Sequence, residues 1–268
     1  MTQGRSQFIK QAIWSGAALL LAFVVIAYFV LPLFWKHYEH EPALADVSMR
    51  TETAQNIAGD PLNIGLVGND AEVLSAFQQI GWTLAEAVTL ESSLEIGSSV
   101  ILNRPYAAAP VSALFYQGRK QDLAFERLAG ASADQRHHVR LWQVIAKGSA
   151  GKPVWLGAAS FDKGVGLSHY TGQITHHIDA DIDAERDGLI KAISEAGLAE
   201  SIYQVSGIGP ALTGRNGGDD PFQTDGELTV AVLREGAVAV DEAPNVLENP
   251  PLVRLKQTIW SAFAGNRP

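Results

Sequence analysis

Between Ala12 and Trp35 no side chain carries a charge, and the run AIWSGAALLLAFVVIAYFVLPLFW is almost wholly apolar. At about 1.5 Å of rise per residue it exceeds the roughly 20 residues a helix needs to cross a bilayer core of about 30 Å. No polar face interrupts it, so a globular core would have to surround it with apolar neighbours on every side. Residues 12–35 therefore read as a membrane span whose partner is the lipid bilayer. Trp14 near one end and Tyr28, Trp35 and Tyr38 toward the other suit the aromatic belts that settle at the headgroups.

The flanks set the expected orientation. Arg5 and Lys10 precede the span, whereas Lys36 after it is soon offset by Glu39 and Glu41. The positive-inside rule then makes residues 1–11 a cytoplasmic tail and puts the bulk of the chain across the membrane. Ala43-Leu44-Ala45 has the A-x-A form of a signal-peptidase site. It lies far beyond the end of an apolar run that itself outlasts the roughly 7–15 residues of a signal h-region, which favours an uncleaved signal anchor.

The rest of the 268 residues allows one sizeable domain. Residues 36–59, with Pro42 and scattered charge, read as a juxtamembrane linker, and residues 60–268 as a soluble domain. A formal charge of -9 disfavours nucleic acid as a partner, since a phosphate backbone demands a basic face. The absence of cysteine removes disulfides, thiolate catalysis and thiolate metal sites.

Along the domain, NIGLVG over 63–68 reads as a short strand. Asn69 and Glu72 offer a capping box for a helix carrying Val73, Leu74, Phe77 and Ile80, which closes at Gly81. Strands are expected over 82–90, 98–106 and 111–118. A hairpin follows, of 138–146 and 153–161, with His138, Arg140 and Trp142 on one face and Val139, Leu141 and Gln143 on the other. A helix beginning near Asp183 carries Leu189, Ile190 and Ile193 and closes at Gly197. A strand over 201–208, a Gly-, Asp- and Asn-rich loop over 207–226 and a strand over 227–236 come next. Pro250 and Pro251 open an amphipathic helix whose Leu252, Leu255, Ile259, Trp260 and Phe263 are suited to docking on the domain. The fold class is α+β: a single N-terminal transmembrane helix followed by one mixed α+β domain.

The chemically capable side chains concentrate in GRKQDLAFE, RHHVRLW, PVWLGAASFD and THHIDADIDAERD, in that order, and GRNGGDDPFQTDGELTV follows them. In this combination the chain resembles the LssY-like C-terminal domain family of bacterial membrane proteins, over roughly Asp60 to Glu235. That family is associated by name with a type I secretion component, and related chains can carry the domain beside DedA-like or phosphatidic-acid-phosphatase-like membrane domains. This chain departs from that arrangement, with one span and no phosphatase signature before the domain, so no lipid-phosphatase activity carries over. The resemblance implies a bacterial envelope domain; taken with the span and its flanking charges, the expectation is a single pass in the inner membrane with the soluble domain in the periplasm.

The candidate polar site comprises Arg119, Asp122, His138, Arg140, His177, Asp179, Arg186 and Asp187. Arg119 and Asp122 form either an anion-recognising pair, since a guanidinium offers planar bidentate donors, or a salt bridge at a strand end. The acids Asp179, Asp181, Asp183, Glu185 and Asp187 crowd a helix start, where capping accounts for one or two; the surplus can pair with Arg119, Arg136, Arg140 and Arg186 in an ion network. No cofactor is expected on the leading reading, an accessory protein that binds an envelope partner or a small ligand. The alternative is a metal-dependent hydrolase with His138, His177, Asp179 and Asp183 holding a divalent transition metal, since imidazole and carboxylate suit such ions. Neither histidine pair has HExxH spacing, and adjacent strand histidines face opposite ways, so that site depends wholly on the tertiary fold.

Overall fold

A computed structural model describes residues 2–34, 44, 47–85, 113–129, 135–167, 174–209 and 213–264. Trp35, Tyr38, the strand expected over 98–106 and most of that expected over 82–90 lie outside these residues. The chain forms two compact units, residues 1–36 with 249–268, and residues 37–248.

In the first unit, α1 (Thr2–Val25) continues through a π-helical stretch (Ile26–Val30) into α2 (Leu31–Phe34). Pro32 explains the π turn: its ring would press on the carbonyl four residues back, and a widened turn, closed by Leu31 N–H donating to Ile26 O, relieves the clash. Residues Gln7–Leu33 form one apolar helical run of 27 residues with no part buried, long and apolar enough to cross a membrane. The C-terminal helix α5 (Pro251–Ala264) belongs to this same unit and packs against α2. Pro251 occupies its first turn, where a missing N–H costs nothing.

The second unit is built on a nine-stranded sheet. Its strands in chain order are β3 (Ile64–Val67), β4 (Thr83–Leu84), β7 (Leu123–Leu128), β8 (Arg136–Ile145), β9 (Val154–Leu167), β10 (Ile174–Ile178), β11 (Ala199–Ser206), β14 (Glu227–Leu233) and β15 (Asn245–Val246). The spatial order is β15-β11-β14-β3-β9-β8-β7-β4, with β10 also pairing β9. Only β14 with β3 and β11 with β15 run parallel; the other pairs are antiparallel.

The sheet's two faces carry separate cores, as strict alternation along the strands requires. On one face Ile64, Leu66, Val139, Leu141, Trp155 and Ala231 meet the apolar sides of α3 (Asp70–Gln79) and α4 (Ile182–Glu195). On the other, Trp142, Leu156, Leu228 and Val230 meet Leu44, Met49, Leu62, Leu114 and Tyr116. These lie on and beside a four-stranded sheet, β2-β1-β5-β6, of β1 (Arg50–Glu52), β2 (Ala58–Pro61), β5 (Phe115–Tyr116) and β6 (Arg119–Lys120).

Residues 36–59 are therefore more than a linker: β1, part of β2 and the buried Leu44 and Met49 belong to the folded unit, because the second sheet face needs an apolar cover. The strand expected over 111–118 is cut short at Tyr116, where positive φ at Gln117 and Gly118 turns the chain into β6. The capping box of Asn69 and Glu72 forms as read, and Asp181 caps α4 through Ala184 N–H. Gly197 ends α4 in the left-handed region, where a Cβ would also collide with the Val240 carbonyl. The Gly-, Asp- and Asn-rich loop holds a small hairpin, β12 (Thr213–Arg215) and β13 (Pro221–Gln223).

Candidate functional site

Residues two apart on β8 share a face, so Arg136, His138, Arg140 and Trp142 all point to the side away from the helices. Antiparallel pairing sets Arg136 opposite Asp162 and His138 opposite Ser160 on β9, and Glu126 of β7 opposite His138. The result is an ion network inside the protein. Arg136 donates through Nε to Asp162 Oδ2 at 3.1 Å and through Nη1 to Glu126 Oε2 at 2.6 Å, with all three side chains buried. His138 Nδ1 lies 3.1 Å from Asp162 Oδ1. Burial alone would raise the Asp162 carboxyl, but the imidazoles of His138 and His176 and the guanidinium of Arg136 outweigh it and hold it well below the usual carboxylate range.

Arg140 Nη1 stands 2.9 Å from His138 Nε2, and Ser160 Oγ is also 2.9 Å from that nitrogen. An arginine nitrogen can only donate, so Nε2 accepts and the imidazole proton sits on Nδ1, facing Asp162. Asp162, His138 and Ser160 thus have the spacing of a nucleophilic triad without its chemistry: the lone pair that would take the serine proton is already engaged by a guanidinium, and Ser160 is fully buried.

The network continues toward the surface through the long loop. Arg140 Nη1 donates to Asp60 Oδ2 at 3.2 Å, and Asn216 Nδ2 donates to Asp60 Oδ1 at 3.1 Å. Asn216 Oδ1 accepts the backbone N–H groups of Gly218 and Asp220. Asp220 Oδ1 then meets His177 Nδ1 at 2.6 Å, while its Oδ2 accepts Ile178 N–H. The His177 ring lies over Gly166 of β9, where any Cβ would collide with it. A continuous polar chain therefore runs from His138 through Arg140, Asp60, Asn216 and Asp220 to the half-buried His177.

Arg186 on α4 ties down the far end of the same loop. It holds Asp225 bidentately, at 2.8 and 3.1 Å, and donates also to Asp183, Asp187 and the Glu227 carbonyl. Burial opposes the Arg186 charge, but Asp225 and Asp183 outweigh it and raise its pKa. Asp183 accepts from Thr224 Oγ1 and Asp225 N–H. Burial, reinforced by the Asp225 carboxylate against the pull of Arg186, pushes Asp183 up to about 6. Between the two anchors, Phe222 packs on Ile178 and Ile182, and Gln223 N–H bonds to Ala180 O.

Of the residues singled out by sequence, His177, Asp179, Arg186 and Asp187 thus fall around the end of β10 and the start of α4, beneath the loop. His138 and Arg140 form the buried end of the polar chain that leads there. Arg119 and Asp122 stand apart: they pair at 3.0 Å, half exposed, and both bond to the Gln143 backbone, which makes them a brace between β6 and β8. The four residues suggested for a metal do not meet: His138 is engaged by Asp162 and Arg140, His177 by Asp220, Asp183 by Arg186, and Asp179 accepts Asp181 N–H. Among the described residues no group of three or more His, Asp or Glu side chains is placed to hold a metal ion.

The candidate site read from sequence did not include Asp60, Glu126, Ser160, Asp162, Asn216, Asp220 or Asp225. Ser160 and Asp162 had a readable signal, since the 138–146/153–161 hairpin places them opposite His138 and Arg136. Asp60 and Asn216 had none, being brought together only by the tertiary fold.

The model of one protein family, described as LssY C-terminus, matches residues 44–228. No curated protein and no solved structure matches the chain.

Proposed function

We propose that this chain, which belongs to the LssY C-terminus family, is a single-pass inner-membrane protein that presents its folded unit in the periplasm as a binding module for an envelope partner or small ligand. The observation that carries this is the contrast between the two units. An apolar helix of 27 residues has no part buried, which suits a lipid environment. Among the described residues of the folded unit, the acids, bases and arginines of the buried network engage one another. His138, the best-placed base, has its free lone pair turned to Arg140, and Asp162 is committed to Arg136.

Among the described residues the folded unit offers outward Asp187 of α4, Arg215 of β12 and the partly exposed His177 of β10, around a loop fastened by the buried Asn216–Asp60 hydrogen bond and the Arg186–Asp225 ion pair. A rigid polar rim of mixed charge favours recognition, because little ordering entropy is lost when a partner docks.

The test is photo-crosslinking in living cells from Asp187 and Arg215, with Glu52 on β1 as the control position. One and the same adduct from both rim positions and none from the control supports the binding role. No adduct from either rim position removes it.

A further inference from the structure

We infer that the C-terminal helix α5 is a second membrane contact, lying along the bilayer surface with Leu252, Leu255 and Ile259 in the interfacial zone. This rests on the membrane-anchored reading of residues 7–33. The three side chains stand at i, i+3 and i+7, on one face of the helix, and remain 41%, 47% and 46% exposed. Val253 and Lys256 on the neighbouring face are buried, Thr258 borders the stripe, and Arg254 and Ser261 are exposed on the side turned away from it. An exposed aliphatic stripe beside the buried Val253 and Lys256 calls for a cover.

Its position says which cover. α5 belongs to the same compact unit as the 27-residue apolar run and packs against α2, the last turn of that run. A helix held at the end of a span is held at the headgroup level, and its free apolar face meets lipid there at no cost in association entropy. The sequence PLVRLKQTIWSAFA contains no acidic residue and exposes Arg254 while Lys256 is buried, so no negative charge on the helix opposes anionic lipid. A second copy of the chain fits less well. Three half-exposed aliphatic side chains fall far short of the roughly 800 Å² per partner that a stable dimer buries.

The chain has no cysteine, so single-cysteine probes are clean. The full-length protein, reconstituted in phosphatidylethanolamine and phosphatidylglycerol vesicles, is labelled with a polarity-sensitive fluorophore at Leu255→Cys, at Ser261→Cys and, within the span, at Leu20→Cys. The expected result is quenching of the Leu255 label by lipids carrying a shallow nitroxide, at least roughly twofold stronger than for Ser261, with the opposite order for aqueous iodide. The Leu20 label should respond to a deep nitroxide. If Leu20 responds and Leu255 behaves like Ser261, the span stands and the second contact is wrong. Shielding of Leu255 from both quenchers, with disulfide-linked dimers of Leu255→Cys, would assign the stripe to a second copy and likewise overturn the inference. If Leu20 itself fails to respond, the anchor reading falls and this inference with it.

Discussion

Asn216 Nδ2 donates to Asp60 Oδ1 at 3.1 Å across 156 positions of sequence, and through that bond the long surface loop is fastened to the ion network inside the sheet. The same amide accepts Gly218 and Asp220 N–H on its other side, so one neutral side chain serves both the buried carboxylate and the loop backbone. The Gly-, Asp- and Asn-rich loop is thus a staple, closed at one end on Asp60 and at the other on Arg186.

Asn216→Ala removes three hydrogen bonds and leaves a buried Asp60 oxygen short of a donor. A loss of about 2–3 kcal/mol is expected in denaturant unfolding of the detergent-solubilised chain. Asn216→Asp should cost more at neutral pH, since it sets a third carboxylate beside Asp60 and Asp220. Equal effects from the two variants would contradict the geometry.

Arg136 is the cation shared by Glu126 and Asp162, and all three are buried. Arg136→Met strands two buried carboxylates and should destabilise by about 3–5 kcal/mol. The triple replacement Arg136→Met, Glu126→Gln and Asp162→Asn should recover much of that loss, because no uncompensated charge remains. The comparison is read from unfolding midpoints, and a triple variant no more stable than Arg136→Met would contradict it.

Asp183 gives stability a pH dependence of defined sign. Its carboxyl rises from an ordinary 3.8 to about 6 on folding, so between those values the native chain holds a proton the unfolded chain has released. Its contribution is fully present below about pH 4 and is lost as pH rises to about 6. Asp162, held low, runs the other way: its contribution is present above the ordinary carboxylate range and is lost as the solution is acidified below it. Asp183→Asn should therefore gain roughly 2–3 kcal/mol relative to the parent chain between pH 4 and 7, in unfolding curves at matched ionic strength. Curves that stay parallel would contradict it.

Glu72 caps α3 and also accepts from Lys152 Nζ and Gly236 N–H, both at 2.9 Å. Burial opposes its charge, and Lys152 with the Asn69 and Gly236 N–H groups lowers its pKa regardless. Glu72→Gln keeps the reciprocal cap but loses the ion pair and the Gly236 N–H bond, whereas Glu72→Ala also loses the side-chain half of the cap. Expected costs are about 1 and about 2–3 kcal/mol respectively, by thermal or denaturant unfolding.

Local rules explain what could be read ahead of the structure. The cap at Asn69, the stop at Gly197 and the division of β8 into a Val139/Leu141 face and a His138/Arg140/Trp142 face all depend on neighbours within a few residues, and all stand. The covering sheet was not legible, because β1, β2, β5 and β6 are two to four residues long and gain stability only from the face they cover. The site divided similarly. Arg186 with Asp183 and Asp187 lies within one helical turn, but its bidentate partner Asp225 comes from a loop 39 positions away. The histidine pairs suggested metal chemistry by residue type, while their rings turned out to be engaged by Asp162, Glu185 and Asp220.

The account depends most on residues 7–33 crossing a membrane with the folded unit on the outer side. Gln55→Cys lies in the exposed turn between β1 and β2, and Gln3→Cys precedes the span; each is compared in intact spheroplasts using a membrane-impermeant maleimide. The account predicts that Gln55→Cys is labelled at once and Gln3→Cys only after the membrane is permeabilised, with the protein sedimenting with membranes throughout. Labelling in the reverse order, or recovery of the intact chain in the soluble fraction, would contradict it.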